Sequence, residues 1–286
     1  MAEDLDIEHL RTWIGRTEIR DDLLSPWTAS AMAATLRNDD QAWVAGQALP
    51  PLWHWSYFLP TARQNQLGAD GHPARGGFLP PVALPRRMWA GSQVEFFGPL
   101  HLCVPARKTS RVRDISLKQG QTGALVFVKV EHEVHDGQGA LLLRDTQAIV
   151  YREAAKSGDK AAAQSPPDGA AWTTEHCPDT PLLFRYSALT FNSHRIHYDH
   201  PYVTQVEGYA DLVVHGPLIA TLLIEAAQRY NPKRELRAFS FKAVRPLVCN
   251  RLLRLRGKAV QPDGSVDLWA EDELGALLMQ ASAQFG

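Results

Sequence analysis

The sequence predicts an α+β fold made of the same unit twice, and three observations carry that expectation. From residue 92 to 151 the apolar residues alternate or run in short β-rich stretches, as in V-E-F-F, K-T-S-R-V-R-D-I and G-A-L-V-F-V-K-V-E-H-E-V. Residues 216–230, G-P-L-I-A-T-L-L-I-E-A-A-Q-R-Y, instead read as a helix that is apolar almost all the way round. The third observation is an internal repeat. E-F-F-G-P-L-H-L-C-V-P-A-R (95–107) resembles F-K-A-V-R-P-L-V-C-N-R-L-L-R (241–254), with Pro99 answering Pro246 at an offset of 147. G-A-L-L-L-R-D-T-Q-A (139–148) matches G-A-L-L-M-Q-A-S-A-Q (275–284) at an offset of 136.

The elements follow in order. Residues 4–14 and 26–37 carry helical spacing, and the second begins at Ser25-Pro26, a hydroxyl cap followed by proline at the first helical position. The aromatic run P-P-L-W-H-W-S-Y-F-L-P is bracketed by prolines and allows at most a short strand or edge segment. Residues 66–90 read as a loop long enough to be functional. Residues 153–171 are small, polar and proline-bearing, which is linker composition. P-L-L-F-R-Y-S-A-L-T (181–190) reads as a strand, and the helix at 216–230 is bounded by Gly216-Pro217 and Asn231-Pro232. Strands are expected at about 236–246, 251–260, 265–272 and 276–285.

A helix apolar on all sides must be covered on all sides. One antiparallel sheet curling around it does so, and that arrangement is a hotdog fold. The first copy lacks an equivalent of the apolar helix near 69–83, where the long loop lies. The expectation is therefore a tandem (double) hotdog: a degenerate N-terminal half at 1–152, a linker at 153–175, and a C-terminal half at 176–286 that carries the site.

Composition bounds the function. A chain of 286 residues, 45% hydrophobic, is long enough for one large or two modest cores. A net charge of −1 gives no footprint for nucleic acid or an anionic membrane. Cys103, Cys177 and Cys249 are scattered, which argues against a disulfide framework or a cysteine zinc site and fits a reducing compartment. The opening M-A-E-D-L-D-I-E-H-L lacks the features of a signal peptide, and no apolar run approaches the roughly 18 residues of a membrane span. A cytoplasmic protein with neither nucleic-acid nor membrane partner is expected.

The densest polar stretch is F-N-S-H-R-I-H-Y-D-H-P-Y (191–202), and twelve residues later H-G-P-L opens the apolar helix. A histidine-bearing turn ahead of a helix start suits proton transfer next to developing negative charge. His197 is the natural general acid/base, since imidazole titrates near neutrality. Asn192 offers an amide oxygen to aim a water without taking its proton. The helix start offers unpaired N–H groups and a positive dipole end, with Gly216 the first donor because Pro217 has none. His194 and His215 are expected as surrounding groups that orient the turn or touch substrate, and Asp199 as a cap or as the group that sets the His197 tautomer.

H-R-I-H-Y-D followed by H-G-P-L resembles the MaoC-like acyl-thioester hydratases and dehydratases, whose pattern G-D-x-N-P-x-H-x-D precedes a His-Gly at the central helix. L-F-R-Y-S-A-L-T-F-N-S-H-R-I-H-Y-D, the loop G-A-D-G-H-P-A-R-G-G-F-L-P-P-V-A-L-P-R-R-M-W-A-G and the degenerate first half look like the type 2 hydroxyacyl-thioester dehydratases and the mesaconyl- and itaconyl-CoA hydratases. The resemblance implies a lyase that adds water to an enoyl thioester or removes it again. It puts His197 on the catalytic histidine and Gly216 on the oxyanion-hole glycine, while Asn192 stands where the superfamily has an aspartate. It implies an acyl-CoA substrate, with coenzyme A entering as part of it, and no separate cofactor or metal. Itaconyl-CoA or mesaconyl-C4-CoA is the favoured substrate, and Arg86, Arg87 or Arg195 would clamp its free carboxylate or meet coenzyme A phosphates. Tyr198 joins the expected substrate-binding set, and a homodimer is an expected assembly.

Four rival readings exist, one of them a non-catalytic acyl-binding scaffold. A fatty-acid-type 3-hydroxyacyl dehydratase or an acyl-CoA thioesterase would use a similar fold. The segment H-Y-D-H also matches part of a metallo-hydrolase pattern, but the histidine that pattern needs at position 195 is an arginine.

Overall fold

The computed structural model describes residues 5–36, 41–120, 123–154 and 164–286. The expected helix ends at 4 and 37, and residues 155–163 of the expected linker, lie outside the described residues. The chain runs α1 (Ile7–Arg11), β1 (Thr17–Leu23), α2 (Pro26–Leu36), β2 (Arg86–Phe96), β3 (Pro105–Gly120), β4 (Gly123–Asp136) and β5 (Leu141–Arg152). It continues with β6 (Trp172–His176), α3 (Thr180–Leu189), α4 (His200–Gln205), α5 (Gly216–Tyr230), β7 (Leu236–Ala243), β8 (Leu253–Gly257), β9 (Ser265–Asp272) and β10 (Leu277–Phe285). β6 starts at Trp172, directly after the 153–171 stretch of linker composition.

Among the described residues all strands belong to one antiparallel sheet, ordered β1-β3-β4-β5-β2-β7-β10-β9-β8-β6. Each half contributes five strands, and the order reads the same from either edge once β1 is equated with β6, β3 with β8, β4 with β9, β5 with β10 and β2 with β7. The halves join where β2 pairs with β7, from Gly91↔Lys242 to Glu95↔Ala238. Gly91 is required at this seam, because a Cβ there would lie 2.3 Å from the Phe241 carbonyl oxygen.

Hydrogen bonds show the duplication more closely than the sequence does. Phe97 N and Gly98 N both donate to Leu142 O, and Val244 N and Arg245 N both donate to Leu278 O. Asp136 accepts from Gln138 N and Ala140 N, as Asp272 accepts from Leu274 N and Ala276 N. Leu49 N donates to Leu100 O just as Val214 N donates to Leu247 O. Leu49 therefore answers Val214, and the counterpart of α5 begins at Pro50-Pro51, not near 69–83 as expected. That counterpart is a single 3-10 turn, Trp53–Ser56, where the sequence suggested at most a short strand. Proline at 50 and 51 and the left-handed backbone at Leu52 (φ 68°) leave no regular hydrogen-bonded entry for either a strand or a longer helix.

Residues 181–190 also differ from the sequence reading: they form most of α3 and its C-cap Thr190, not a strand. Asp179 accepts from Leu182 N at 2.9 Å and Pro181 sits in the first turn, so a cap decides the conformation against the β-rich composition. The helix buries Leu183, Tyr186 and Ser187 and leaves Phe184 exposed. In the second half, α5 buries every residue from Leu218 to Ala227 against β7–β10, so sheet wraps helix as the periodicity requires.

Candidate active site

The turn 191–199 is shaped by its own short-range bonds. Asn192 Oδ1 accepts from His194 N at 3.0 Å, and Asn192 N donates to Ser187 O at 2.8 Å. Asp199 caps α4 by accepting from Tyr202 N at 3.1 Å and pairs with Arg195 at 2.8 Å. Tyr198 Oη donates to Ser193 O at 3.1 Å. The result is a tight loop whose imidazoles face inward.

His197 is buried, and its Nδ1 lies 2.7 Å from Val213 O. A carbonyl only accepts, so Nδ1 carries the hydrogen and Nε2 is left with its lone pair. The tautomer is thus set by Val213 and not by Asp199, which the sequence offered for that role. Burial, with a smaller push from His72, lowers the His197 pKa to about 4 against the pull of the Val213 bond. His215 stacks on His197 with ring centroids 3.6 Å apart, and its Nε2 lies 2.8 Å from Ser187 Oγ. Burial, then His197 and His194, holds His215 well below the ordinary range. Burial and the neighbouring histidines push His194 down to about 2, against Asp70. All three imidazoles are therefore neutral near pH 7.

His215 is also the N-cap residue of α5 but makes no side-chain cap bond, and Pro217 in the first turn has no N–H. The α5 dipole end at Gly216 is open, since a Cβ there would meet nothing within 4 Å. Asn192, His194, His197, Tyr198, His215 and Gly216 line one cavity of about 1460 Å³.

The arginines divide. Arg87 lines this cavity. Arg86 and Arg195 lie outside its lining. Arg86 pairs with Glu207 at 3.3 Å, while Arg195 pairs with Asp199 and covers the Tyr202 ring at 4.1 Å. The partial metallo-hydrolase pattern is not assembled either: Asp199 is a cap, and His200 lies 3.7 Å from Asp211 on the surface.

Sequence reasoning missed what the first half adds. The loop G-A-D-G-H-P (68–73) docks onto the histidine turn. Arg195 N donates to Asp70 O at 2.9 Å, Arg195 Nη1 donates to Ala69 O at 3.0 Å, and Ser193 Oγ donates to Gly71 O. Gly71 (φ 87°) is needed, because a Cβ would fall 1.9 Å from Ser193 O. The loop delivers His72, whose ring lies 4.0 Å from that of His194, with Asp70 Oδ2 at 3.0 Å from His72 Nδ1. The D-G-H-P signal stood in the sequence, but nothing local linked it to a turn some 120 residues away.

A bare imidazole nitrogen beside an uncapped helix start can take a proton from water and stabilise an enolate oxygen. The hydroxyacyl-thioester dehydratase type 2 family model matches residues 52–249. The chain belongs to that family. It is 46% identical over 276 residues to a mesaconyl-C(4)-CoA hydratase of Chloroflexus aurantiacus, covering 96% of this chain and 97% of that one. It is 25% identical to a mitochondrial hydroxyacyl-thioester dehydratase type 2 of Schizosaccharomyces pombe, covering 73% and 77%. Among solved structures it is similar to a MaoC-like dehydratase (TM-score 0.73, 13% identity, 96% and 99% covered). It is also similar to a Mycobacterium tuberculosis protein with a double hotdog fold (TM-score 0.59, 13% identity, 100% and 98% covered). The double hotdog and the hydro-lyase class expected from the sequence are thus shown, and the enzyme adds water to acyl thioesters or removes it from them.

Proposed function

We propose that the enzyme hydrates the C4 thioester of mesaconate, or a closely similar branched dicarboxylyl-CoA, to a citramalyl-type 3-hydroxyacyl-CoA. The observation that carries the reading is the lone pair on His197 Nε2 facing the same cavity as the open start of α5. His197 takes a proton from water, and the oxygen bonds to Cβ. The double-bond pair moves toward the thioester carbonyl, whose oxygen meets Gly216 N–H and the α5 dipole. A proton then reaches Cα. Asn192 Oδ1 already holds His194 N, so its contribution is to fix the turn while its amide edges the cavity.

The substrate's free carboxylate sits on Cβ itself, so a cation is needed next to the histidines. Arg87 suits this role: it lines the cavity, and its charge acts on Asp70, His72 and His194. Coenzyme A enters as part of the substrate, and no step above calls for a further cofactor. We further assign the enzyme to the cytoplasm, supported by its three free cysteines, and to a homodimer, which sedimentation velocity checks.

Loss of enoyl absorbance on mesaconyl-C4-CoA, itaconyl-CoA and crotonyl-CoA tests the reading. Preference for a dicarboxylyl thioester, reduced in Arg87→Met, is expected. Activity on crotonyl-CoA alone would move the enzyme to the fatty-acid type, and release of free thiol would make it a thioesterase.

A further inference from the structure

Hydration moves two protons, one from water and one to Cα, and His197 is assigned only the first of them. Asn192, where a carboxylate was expected, cannot accept a proton. The first half, however, delivers a histidine that does have a carboxylate partner. Asp70 Oδ2 lies 3.0 Å from His72 Nδ1, and Asp70 Oδ1 accepts from His72 N at 3.0 Å, so the carboxylate fixes both ring and backbone. The His72 ring is 4.0 Å from that of His194, which in turn meets His197 edge-on at 5.5 Å. His72, His194 and His197 all line the cavity.

We propose that His72, held by Asp70, is the second acid/base group of the reaction, lent by the first half to the site of the second. The inference rests on the hydration reading above. In the hydration direction His197 Nε2 takes a proton from water as the C–O bond forms at Cβ and the π pair becomes the enolate. The imidazolium of His72, balanced by the Asp70 carboxylate, gives its Nε2 proton to Cα as the enolate collapses. His197 then carries the extra proton and His72 is neutral. Loss of one proton from His197 to solvent and uptake of one by His72 restores the starting state with no net change in protons.

Five charged or titratable neighbours act on His72. Burial comes first in lowering its pKa, Asp70 opposes it, and the Arg87 and Arg75 guanidiniums lower it further. His194 and His197 face it from the histidine turn. A substrate carboxylate on Arg87 would cancel one of the opposing charges, so the dicarboxylyl substrate itself favours the protonated dyad.

The test compares His72→Gln and Asp70→Asn, both near-isosteric, with wild type in hydration of mesaconyl-C4-CoA between pH 5 and 10. Both variants should lose about 100-fold or more in kcat with KM changed only a few-fold. The wild-type profile should fall as pH rises through the His72 pKa, which burial holds below the ordinary histidine value. That limb should vanish in His72→Gln and move to lower pH in Asp70→Asn, whereas a purely structural role would leave its position unchanged. A folded His72→Gln enzyme with the wild-type profile would overturn the inference while leaving the hydration reading intact. A wild-type enzyme that turns over no thioester would instead sink the hydration reading. Asp70, His72 and His194 also have ligand atoms within 4.8 Å of one another, so stoichiometric zinc in the purified protein would overturn the dyad in favour of a metal site.

Discussion

The inner faces of the two halves of the sheet occupy matching register positions yet are built from opposite materials. In the second half Phe239, Leu255, Leu268, Ala281 and Ala283 belong to the apolar cluster that encloses α5. The pairings put Ser92, Lys108, His132, Asp145 and Gln147 at the matching positions of the first half. All of these but Ser92 border the cavity where the central helix has shrunk to Trp53–Ser56. Asp145 gathers bonds from Ser92 Oγ (2.7 Å), Gln147 Nε2 (2.8 Å) and Trp55 Nε1 (2.9 Å). Burial alone would raise its pKa, but His54, His132 and Gln147 hold it at about 2. The lesson is that a helix and a polar network are alternative ways to finish the same sheet. One yields a dry core, the other a binding cavity. The first half lacks the central helix but is built as a wall that also brings His72 to the site.

The contrast can be broken in order of expected effect. His197→Ala should lower kcat by about 10²–10⁴ in a protein still folded by circular dichroism, because the base at the open helix start belongs to the second half. Asp145→Ala removes the acceptor from three buried or part-buried donors and should cost about 3–5 kcal/mol in urea unfolding. Leu222→Ala, the apolar counterpart test in the buried stretch of α5, should cost about 2–5 kcal/mol. Gly71→Ala drives a methyl into Ser193 O and should cost about 1–3 kcal/mol, with a fall in turnover as the halves separate at the site.

The smallest effect at neutral pH is expected for His132→Leu, which gives the first half the second half's residue. Burial holds folded His132 at about 4 and folded His197 also at about 4, below the roughly 6.5 of an unfolded histidine. Between those values the unfolded chain binds more protons, so stability is complete above about pH 6.5 and declines as pH falls toward 4. His132→Leu should flatten part of that decline, as read by melting temperature against pH.

The sequence was most legible where local and tertiary demands agree. The α5 boundaries, the long strands and both repeat offsets could be read because period and turn glycines point the same way. Residues 181–190 misled because Leu, Phe and Tyr suit strands, and the Asp179 cap outweighs that preference. The short edge strands β1 and β6 went unseen because five to seven residues with half their side chains exposed carry little pattern. At the site, the histidine turn and Gly216 were legible as one local motif. The Asp70–His72 pair and the Val213 carbonyl were not, since their roles depend on chain segments that meet only in the fold.

That meeting has a consequence for how the molecule matures. The bonds joining Asp70 and Gly71 to Arg195 and Ser193 close a span of more than 120 residues, and such non-local closures are slow. Each curled half can gather most of its own contacts earlier in folding. Turnover should therefore be the last property to return on refolding, after compactness and strand signal, which makes hydration itself a clock for the final docking step.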